Sequence, residues 1–299
     1  MRGQIMKGIA GFYFVKSGET IYRCKARGLF KKQGIKPAVG DEVIIEAAEG
    51  EDDSLITEIL PRRNSFIRPF VANADCFVIV TAPAHPAPVL SVIDKLLVMA
   101  EQAGTEAVLC VNKCDLAEGE KKTAVKARQT MEELRRIYEP LYPVICTRMD
   151  EEGGLEPLRA AIRGKTVALA GASGVGKSTL LNRLLDRQEM ETGQISHRSR
   201  RGRHTTRHAE LFPADEQGTM IFDTPGFTSF DLPQLEPEEL PALFPEIAAL
   251  SEGCRYDDCT HRAEPDCAVK DALEEGRIEK SRYESYRAFR REAEERRKY

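Results

Sequence analysis

Residues 171–178 read Gly-Ala-Ser-Gly-Val-Gly-Lys-Ser, and this stretch decides which fold the surrounding chain adopts. It matches the pattern G-x-x-x-x-G-K-[ST], in which a glycine-rich backbone wraps around phosphate groups. Residues 167–170 before it are strand-like, and residues 177–185 after it have helical spacing. This order predicts a phosphate-binding loop (P-loop) between a buried strand and a helix. The alternative is a glycine-rich strand-to-helix turn without a ligand.

Each position of the P-loop has a chemical role. Backbone N–H groups turn inward around the phosphates, and Lys177 brings a point charge to the β- and γ-phosphates, which makes it a catalytic candidate. Ser178 offers a hydroxyl to Mg²⁺. The nucleotide contacts expected from this motif are Gly171, Ala172, Ser173, Gly174, Val175, Gly176, Lys177 and Ser178.

A second motif precedes the P-loop in sequence. Asn112, Lys113, Cys114 and Asp115 spell N-K-x-D directly after strand-like residues 107–111. The Asp115 carboxylate can accept hydrogen bonds from N1–H and the exocyclic amino group of guanine, whereas adenine offers no such pair of donors. Taken alone, the four residues could also form an ordinary turn. Beside a P-loop they predict a circularly permuted G domain that binds GTP and GDP.

Residues 223–226 spell D-T-P-G after the strand-like run 220–222. Asp223 would hold Mg²⁺ through water, and the Gly226 N–H would reach the γ-phosphate only when that phosphate is present, which describes a switch. A reverse turn is the alternative. Phe227 follows, at the position where many G proteins place the glutamine that orients the attacking water. That role must therefore fall to another residue.

The segment 197–208 lies where the first switch loop is expected. His204 is the candidate for positioning or deprotonating the attacking water, and Thr205 or Thr206 could complete the Mg²⁺ shell. The alternative for His204 is a solvated loop residue. The arginines of this segment predict docking on RNA phosphate, with a solvated charge run as the alternative. They are Arg198, Arg200, Arg201, Arg203 and Arg207.

Cys254, Cys259, His261 and Cys267 form the pattern C-x₄-C-x-H-x₅-C. Thiolate and imidazole ligands suit tetrahedral Zn²⁺, and four protein ligands leave no open position for catalysis. The pattern therefore predicts one structural zinc site that stabilises a small unit with little apolar content, with chance clustering as the alternative. The other cysteines are expected to be buried, reduced thiols: Cys24, Cys76, Cys110, Cys114 and Cys146.

Three units are predicted along the chain. Residues 1–63 alternate in short runs divided by glycine and proline, which indicates an all-β barrel; an OB-fold fits, although other small barrels stay open. Residues 64–231 alternate strand-like and helical stretches, which predicts an α/β P-loop GTPase domain. Residues 232–299 are expected to form a mainly α zinc-binding domain.

Composition limits the function further. Of 299 residues, 41% are hydrophobic and 31% charged, and no apolar run approaches the roughly 20 residues that span a bilayer. No export signal is recognisable, so the protein is expected in the cytoplasm. No membrane binding is expected, and the protein is expected to act as a monomer. The net charge of −4 indicates that any RNA contact comes from local patches.

The stretch 278–299 is one candidate for such a patch. Its aromatic residues fall near one helical face, which favours packing against the domain over base stacking. RNA contact by the interleaved arginines stays open. The residues concerned are Tyr283, Tyr286 and Phe289, with Arg282, Arg287, Arg290 and Arg291.

In order, N-K-C-D, G-A-S-G-V-G-K-S, G-R-H-T-T, D-T-P-G-F and the cysteine cluster closely resemble the RsgA (YjeQ) family of GTPases, over nearly the whole chain. The resemblance implies an N-terminal OB-fold, a permuted G domain and a C-terminal zinc domain. It implies binding to the small (30S) ribosomal subunit and its rRNA, and GTP hydrolysis that the subunit stimulates late in its maturation.

Carried over by position, the resemblance marks Asn112, Lys113, Cys114 and Asp115 as nucleotide contacts and adds Thr179 to those of the P-loop. It also supports His204 as catalytic and marks Thr206 as the switch-loop threonine. It also implies that the cysteine cluster binds zinc. Where the family commonly has Ser-Ala behind the guanine, this chain has Cys146 and Thr147. Two other functions stay open: an RNA-binding clamp whose loaded G domain hydrolyses little GTP, and a P-loop ATPase or kinase, which Asp115 disfavours.

Overall fold

The computed structural model describes residues 1–32, 34–48, 52–67, 70–186, 209–223 and 235–297. The strands are β1 (Arg2–Ile9), β2 (Phe12–Ser17), β3 (Thr20–Ala26), β4 (Glu42–Glu46), β5 (Ser54–Ile59), β6 (Ser65–Ile67), β7 (Phe70–Ala72), β8 (Cys76–Thr81), β9 (Glu106–Val111), β10 (Val144–Cys146), β11 (Thr166–Ala170), β12 (Glu210–Pro213) and β13 (Met220–Asp223). The helices are α1 (Gly28–Lys32), α2 (Leu90–Ala103), α3 (Lys122–Tyr138), α4 (Glu156–Ile162), α5 (Lys177–Leu184), α6 (Pro245–Ser251), α7 (Ala268–Glu274) and α8 (Lys280–Arg296).

These residues divide between two compact units. The first lies within Met1–Phe77, Arg159–Leu169 and Lys177–Phe227. The second lies within Val78–Leu158, Ala170–Gly176 and Thr228–Tyr299. The predicted domain limits were drawn from the sequence pattern and not from contacts in the fold, so they stay a prediction: 1–63, 64–231 and 232–299.

The first five strands close into a barrel. β2 pairs with β1 and β3, β4 pairs with β1 and β5, and all four pairings are antiparallel. The remaining seam, between β3 and β5, is parallel. Alternate residues point inward and are fully buried, among them Ile5, Val15 and Ile56. The order 1-2-3-5-4-1 is that of a five-stranded Greek-key barrel, and it confirms the predicted OB-fold.

The first unit also holds β11, β13 and β12. β11 and β13 are parallel, with Ala168 level with Phe222, while β12 runs antiparallel to β13. All five residues of β11 are buried, as expected for a parallel strand with both faces covered. The register places Asp223 at the carboxyl end of β13, the edge at which α/β sheets bind ligands.

The second unit contains β9 between β8 and β10. β10 runs parallel to β9, so Cys146 is level with Val111. Residues of β9 are buried from Val108 onward. Its carboxyl end therefore delivers the residues that follow, Asn112 onward, to one edge of the sheet.

The C-terminal helices α6, α7 and α8 enclose their own apolar cluster, as the sequence predicted for a mainly α unit. Tyr286, Phe289 and Phe244 pack there, with Phe244 and Tyr286 in an edge-to-face contact at 5.6 Å between ring centroids. Val98 of α2 belongs to the same cluster. The interpretation of the α8 aromatics as packing residues is confirmed.

Burial excludes two of the α8 arginines from the RNA contact that the sequence left open. Arg282 and Arg290 are 1% and 6% exposed. Arg282 donates to Asp94 of α2 at 2.8 Å and to Glu246 of α6 at 2.7 Å, so its charge is neutralised inside the protein. Arg287 and Arg291 are exposed, as a solvent-facing or RNA-facing residue must be.

The prediction for the scattered cysteines is also partly wrong. Cys24, Cys76 and Cys110 are buried, but Cys114 and Cys146 are only half-buried. Both lie at the sheet edge that carries the N-K-x-D motif, where loops leave the core. No described helix combines the length and apolar character that crossing a membrane requires.

Candidate nucleotide-binding site and metal centre

Asn112 joins the N-K-x-D motif to the P-loop. It follows β9 and is buried, and its side-chain amide donates a 2.9 Å hydrogen bond to the backbone carbonyl of Val175. A buried amide that spans two loops holds them in register, because leaving it unpaired would cost free energy. The two motifs, whose first residues Asn112 and Gly171 lie 59 positions apart in sequence, therefore meet in the fold.

Lys113 reinforces this junction. Its ammonium donates to the carbonyls of Gly174 at 2.7 Å and His85 at 2.8 Å. Lys113 has a left-handed backbone, with φ at 61°, which turns the chain sharply after the strand and into a 3-10 turn over Cys114–Ala117. Asp115 lies in the first part of that turn, half-buried and accessible to a ligand.

Thr147 supports Asn112 from the neighbouring strand. Its hydroxyl donates to Asn112 Oδ1 at 3.1 Å, and Cys110 Sγ lies 3.3 Å from the same hydroxyl. Because that hydroxyl hydrogen is used on Asn112, the Cys110 thiol is the donor to Thr147. The backbone adds Cys114 N–H to Thr147 O at 3.1 Å. Thr147 therefore orients the motif, although the sequence departs there from the common Ser-Ala.

Two glycines of the P-loop permit close backbone approach. A Cβ on Gly171 would lie 2.1 Å from the Val80 carbonyl oxygen, and a Cβ on Gly176 would lie 2.4 Å from Asn112 Nδ2. Both have positive φ, at 145° and 97°, which a side chain would strain. The glycine spacing is thus required by contacts with other strands as well as by phosphate.

A cavity of about 300 Å³ opens beside the N-K-x-D turn. Its lining includes Cys114, Cys146, Thr147 and Arg148. Arg148 is held by ion pairs with Asp150 at 2.8 Å and with neighbouring glutamates. The volume lies at the lower end of the range for small-molecule sites and suits a planar heterocycle.

α5 begins at Lys177, immediately after the P-loop glycines, so Ser178 and Thr179 occupy its first turn. Burial lowers the pKa of Lys177 below its ordinary value, because an ammonium removed from water loses solvation. Bound phosphate would favour the charged form again. Asp223, at the end of β13, belongs to the same compact unit as this helix.

The remaining predicted site residues lie outside the described residues. They are His204, Thr205, Thr206 and Gly226, together with the arginines of residues 197–208 and Phe227.

Cys254, Cys259, His261 and Cys267 converge, with their ligand atoms within 4.8 Å of one another. Cys254 Sγ lies 3.8 Å from Cys267 Sγ, and His261 Nδ1 lies 3.5 Å from each of these sulfurs. Tetrahedral zinc with its usual bond lengths requires sulfur–sulfur separations of about 3.8 Å and sulfur–nitrogen separations of about 3.5 Å. The spacing and the donor chemistry both fit Zn²⁺.

A hydrogen-bond chain fixes the His261 tautomer. Ser251 Oγ donates to Ile247 O at 2.8 Å, so its oxygen can only accept from His261 Nε2, 3.1 Å away. The proton is therefore on Nε2, and Nδ1 turns its lone pair toward the thiols. Burial also lowers the pKa of His261, which favours the neutral ring that a metal needs.

α8 holds the ligand loop in place. Tyr283 Oη donates to His261 O at 2.6 Å, and Tyr286 Oη donates to Thr260 O at 2.9 Å. Sequence reasoning missed these partners, as it missed Thr147, His85, Ser251 and the Asp94–Arg282 pair. These contacts can be recognised only in the fold, because each joins residues that are far apart in the chain or that belong to no recognisable motif.

Comparison with known proteins agrees with this architecture. The RsgA GTPase family model matches residues 59–233, and the RsgA N-terminal domain model matches residues 2–56. The small ribosomal subunit biogenesis GTPase RsgA of Agathobacter rectalis is 42% identical, over 100% of both chains. The protein of that name from Alkaliphilus metalliredigens is 41% identical over 100% of this chain and 99% of its own.

Solved structures give the same result. YjeQ from Thermotoga maritima superposes with a TM-score of 0.81 at 34% identity, covering 98% of each chain. YloQ, described as a circularly permuted GTPase, superposes with a TM-score of 0.80 at 32% identity over 99% of this chain and 95% of its own. With its guanine motif ahead of its P-loop, this chain belongs to the RsgA GTPase family and is a circularly permuted GTPase.

Proposed function

We propose that the protein binds the small ribosomal subunit, contacts its rRNA, and assists its late maturation by hydrolysing GTP to GDP and phosphate, with turnover that the subunit stimulates. The observation that carries GTP chemistry is the bonding of Asn112 and Lys113 to P-loop carbonyls. Support for the partner comes from the names of relatives that match over the full chain. The protein acts as a monomer in the cytoplasm.

In this proposal the base lies in the cavity beside Cys114 and Thr147, with Asp115 accepting from N1–H and the exocyclic amino group of guanine. The phosphates lie along residues 171–179, where backbone N–H groups and Lys177 stabilise their negative charge. Asn112 and Lys113 hold the two parts of the site together and touch the P-loop rather than the base.

The hydroxyl of Ser178 and the carboxylate of Asp223 are hard oxygen donors, which fits Mg²⁺. With Thr206 they would hold the ion, Asp223 through water. When bound, Mg²⁺ neutralises charge on the β- and γ-phosphates. Gly226 completes the γ-phosphate contacts, and His204 positions or deprotonates the attacking water because Phe227 cannot.

Cys254, Cys259, His261 and Cys267 hold one Zn²⁺ in a structural role. Their mutual spacing and the lone pair on His261 Nδ1 support this assignment. The ion stabilises the loop to which α8 is hydrogen-bonded. Because four protein ligands fill its coordination sphere, no position is open for catalysis.

The test is the rate of GTP hydrolysis with and without purified small ribosomal subunits. We expect strong stimulation in the natural protein, and a loss of about 100-fold or more in the stimulated rate of His204→Ala, with GTP affinity retained. His208→Ala, in the same segment, is the matched control and should keep its stimulation. A rate unchanged by subunits would contradict the proposal and favour the RNA-binding clamp.

A further inference from the structure

Two half-buried thiols, Cys114 and Cys146, line the cavity beside the N-K-x-D turn. The backbone hydrogen bond from Cys114 N–H to Thr147 O, at 3.1 Å, holds their two loops side by side. Neither thiol takes part in the chemical step of GTP hydrolysis proposed above. We propose that they form a hydroperoxide-reactive pair, in which Cys146 is the nucleophile and Cys114 the resolving thiol, and that their disulfide closes the cavity to guanine nucleotides.

Arg135 distinguishes Cys146 from the other thiols. Its guanidinium, in the last turn of α3, donates to Cys146 Sγ at 3.3 Å. A cation next to a thiol stabilises the thiolate, which is the form that attacks peroxides. Cys114 lacks such a donor among the described residues, and its thiol donates to the Val111 carbonyl at 3.0 Å.

The electrostatics of the pair follow from these contacts. The neighbouring Cys114 thiol lowers the pKa of Cys146, and the Arg135 charge and hydrogen bond lower it further, against the opposing effects of burial and Glu139. The neighbouring Cys146, with burial, raises the pKa of Cys114. The thiolate is thus favoured on Cys146 and the protonated thiol on Cys114, and the Cys114 proton is released to the departing hydroxyl when Cys114 attacks.

The chemistry balances in two steps. The Cys146 thiolate attacks a hydroperoxide; an S–O bond forms, the O–O bond breaks, and the alkoxide or hydroxide released takes a proton from water. The sulfur is oxidised to a sulfenic acid and the peroxide is reduced. Cys114 then attacks that sulfur; an S–S bond forms, the S–O bond breaks, and the hydroxyl leaves with the Cys114 proton as water.

The disulfide has a structural consequence at the cavity. Cys114 stands between Lys113 and Asp115, while Cys146 precedes Thr147, so the new bond would tie the two walls together. A disulfide holds its Cβ atoms at about 3.8 Å, so the two loops could no longer separate to admit a base. This consequence rests on the base position proposed above; the thiol chemistry does not.

Reactivity is tested on the full chain with iodoacetamide at neutral pH, each cysteine being quantified by mass spectrometry. We expect Cys146 to react at least about tenfold faster than the buried Cys24. Arg135→Gln should slow Cys146 severalfold, whereas Arg136→Gln, one position along and paired with Glu279, should not. Equal rates at Cys146 and Cys24, or no effect of Arg135→Gln, would overturn the assignment of the nucleophile.

Disulfide formation is tested with one equivalent of hydrogen peroxide. We expect a linked Cys114–Cys146 peptide pair, and in Cys114→Ser a sulfenic acid on Cys146 that dimedone traps. Peroxide that leaves the pair reduced would overturn the proposal.

Closure of the site is tested by GDP affinity. Oxidation should weaken it at least about tenfold, dithiothreitol should restore it, and Cys146→Ser should be insensitive to peroxide. A disulfide that leaves GDP affinity unchanged would overturn the closure. Asp115→Asn, measured on reduced protein, shows separately whether the motif reads the base at all.

Discussion

The side-chain amide of Asn112 donates a 2.9 Å hydrogen bond to the carbonyl of Val175, although 63 residues separate the two in sequence. Circular permutation changes the order of the two motifs along the chain. This hydrogen bond shows that the two motifs are nevertheless in contact in the fold. Because the amide is buried, both loops depend on it. The contact explains why the chain tolerates an exchanged order of motifs. Each motif must follow the end of its own strand, and the Asn112 amide then links the two loops.

Gly176→Ala should abolish nucleotide binding. The added Cβ would lie 2.4 Å from Asn112 Nδ2, and φ is 97°, so the P-loop must shift to relieve the clash. Gly119→Ala is the matched control, since it has a φ of 90° and nothing within 4 Å of the new Cβ. It should cost only backbone strain of about 1 kcal/mol. Titration with fluorescent GDP measures both; similar affinities in the two variants would contradict the clash.

Thr147→Val should weaken both stability and GDP binding. The variant keeps the side-chain shape but leaves Asn112 Oδ1 and the Cys110 thiol without their partner, at a cost of about 1–3 kcal/mol. Thr130→Val, on the exposed side of α3, is the control and should change the free energy of unfolding by less than about 0.5 kcal/mol. Equal effects of the two substitutions in urea unfolding would show that Thr147 does not support the motif.

Arg282→Met should destabilise the chain strongly. It removes the cation from two carboxylates, Asp94 and Glu246, and Asp94 is completely buried. Breaking a buried pair by deleting one partner costs about 3–5 kcal/mol, because the other charge stays without compensation. Arg287→Met, on the solvent side of the same helix, serves as the control. Urea unfolding that ranks the two variants equally would argue against a stabilising role for the network.

Ser251→Ala should lower zinc affinity about 10- to 100-fold, because Nε2 of His261 loses the acceptor that fixes its tautomer. Competition with a chromophoric zinc chelator measures this. Ser281→Ala is the control, since the buried Ser281 hydroxyl has no hydrogen-bond partner among the described residues. Zinc affinity that is the same in Ser251→Ala and in the natural protein would remove Ser251 from the metal centre.

The sequence predicted what is local. The P-loop glycines, the N-K-x-D turn and the cysteine cluster can each be recognised within a few residues of sequence. Strand and helix periodicity placed β9, β11 and α5 within a residue or two. The barrel was predictable as all-β from alternation, but its OB topology needs the parallel β3–β5 seam, which no local pattern encodes.

What escaped the sequence depends on long-range contact. RNA contact by Arg282 stayed open in the sequence because arginine is rarely buried, and only the fold brings Asp94 to it across 188 positions. Cys114 and Cys146 were read as buried because they flank strand-like runs, yet loops leave the sheet there. Thr147 has an ordinary side chain whose role exists only beside Asn112.

The central claim is that Asn112–Asp115 and the P-loop form one guanine nucleotide site. Xanthine carries a carbonyl where guanine carries its amino group, so Asp115→Asn, whose amide can donate to that carbonyl, should exchange the preference. We expect the natural protein to hydrolyse GTP but not XTP, and Asp115→Asn to lose GTP affinity about 100-fold or more while gaining XTP hydrolysis. An Asp115→Asn variant that keeps the natural affinity for GTP would contradict the claim.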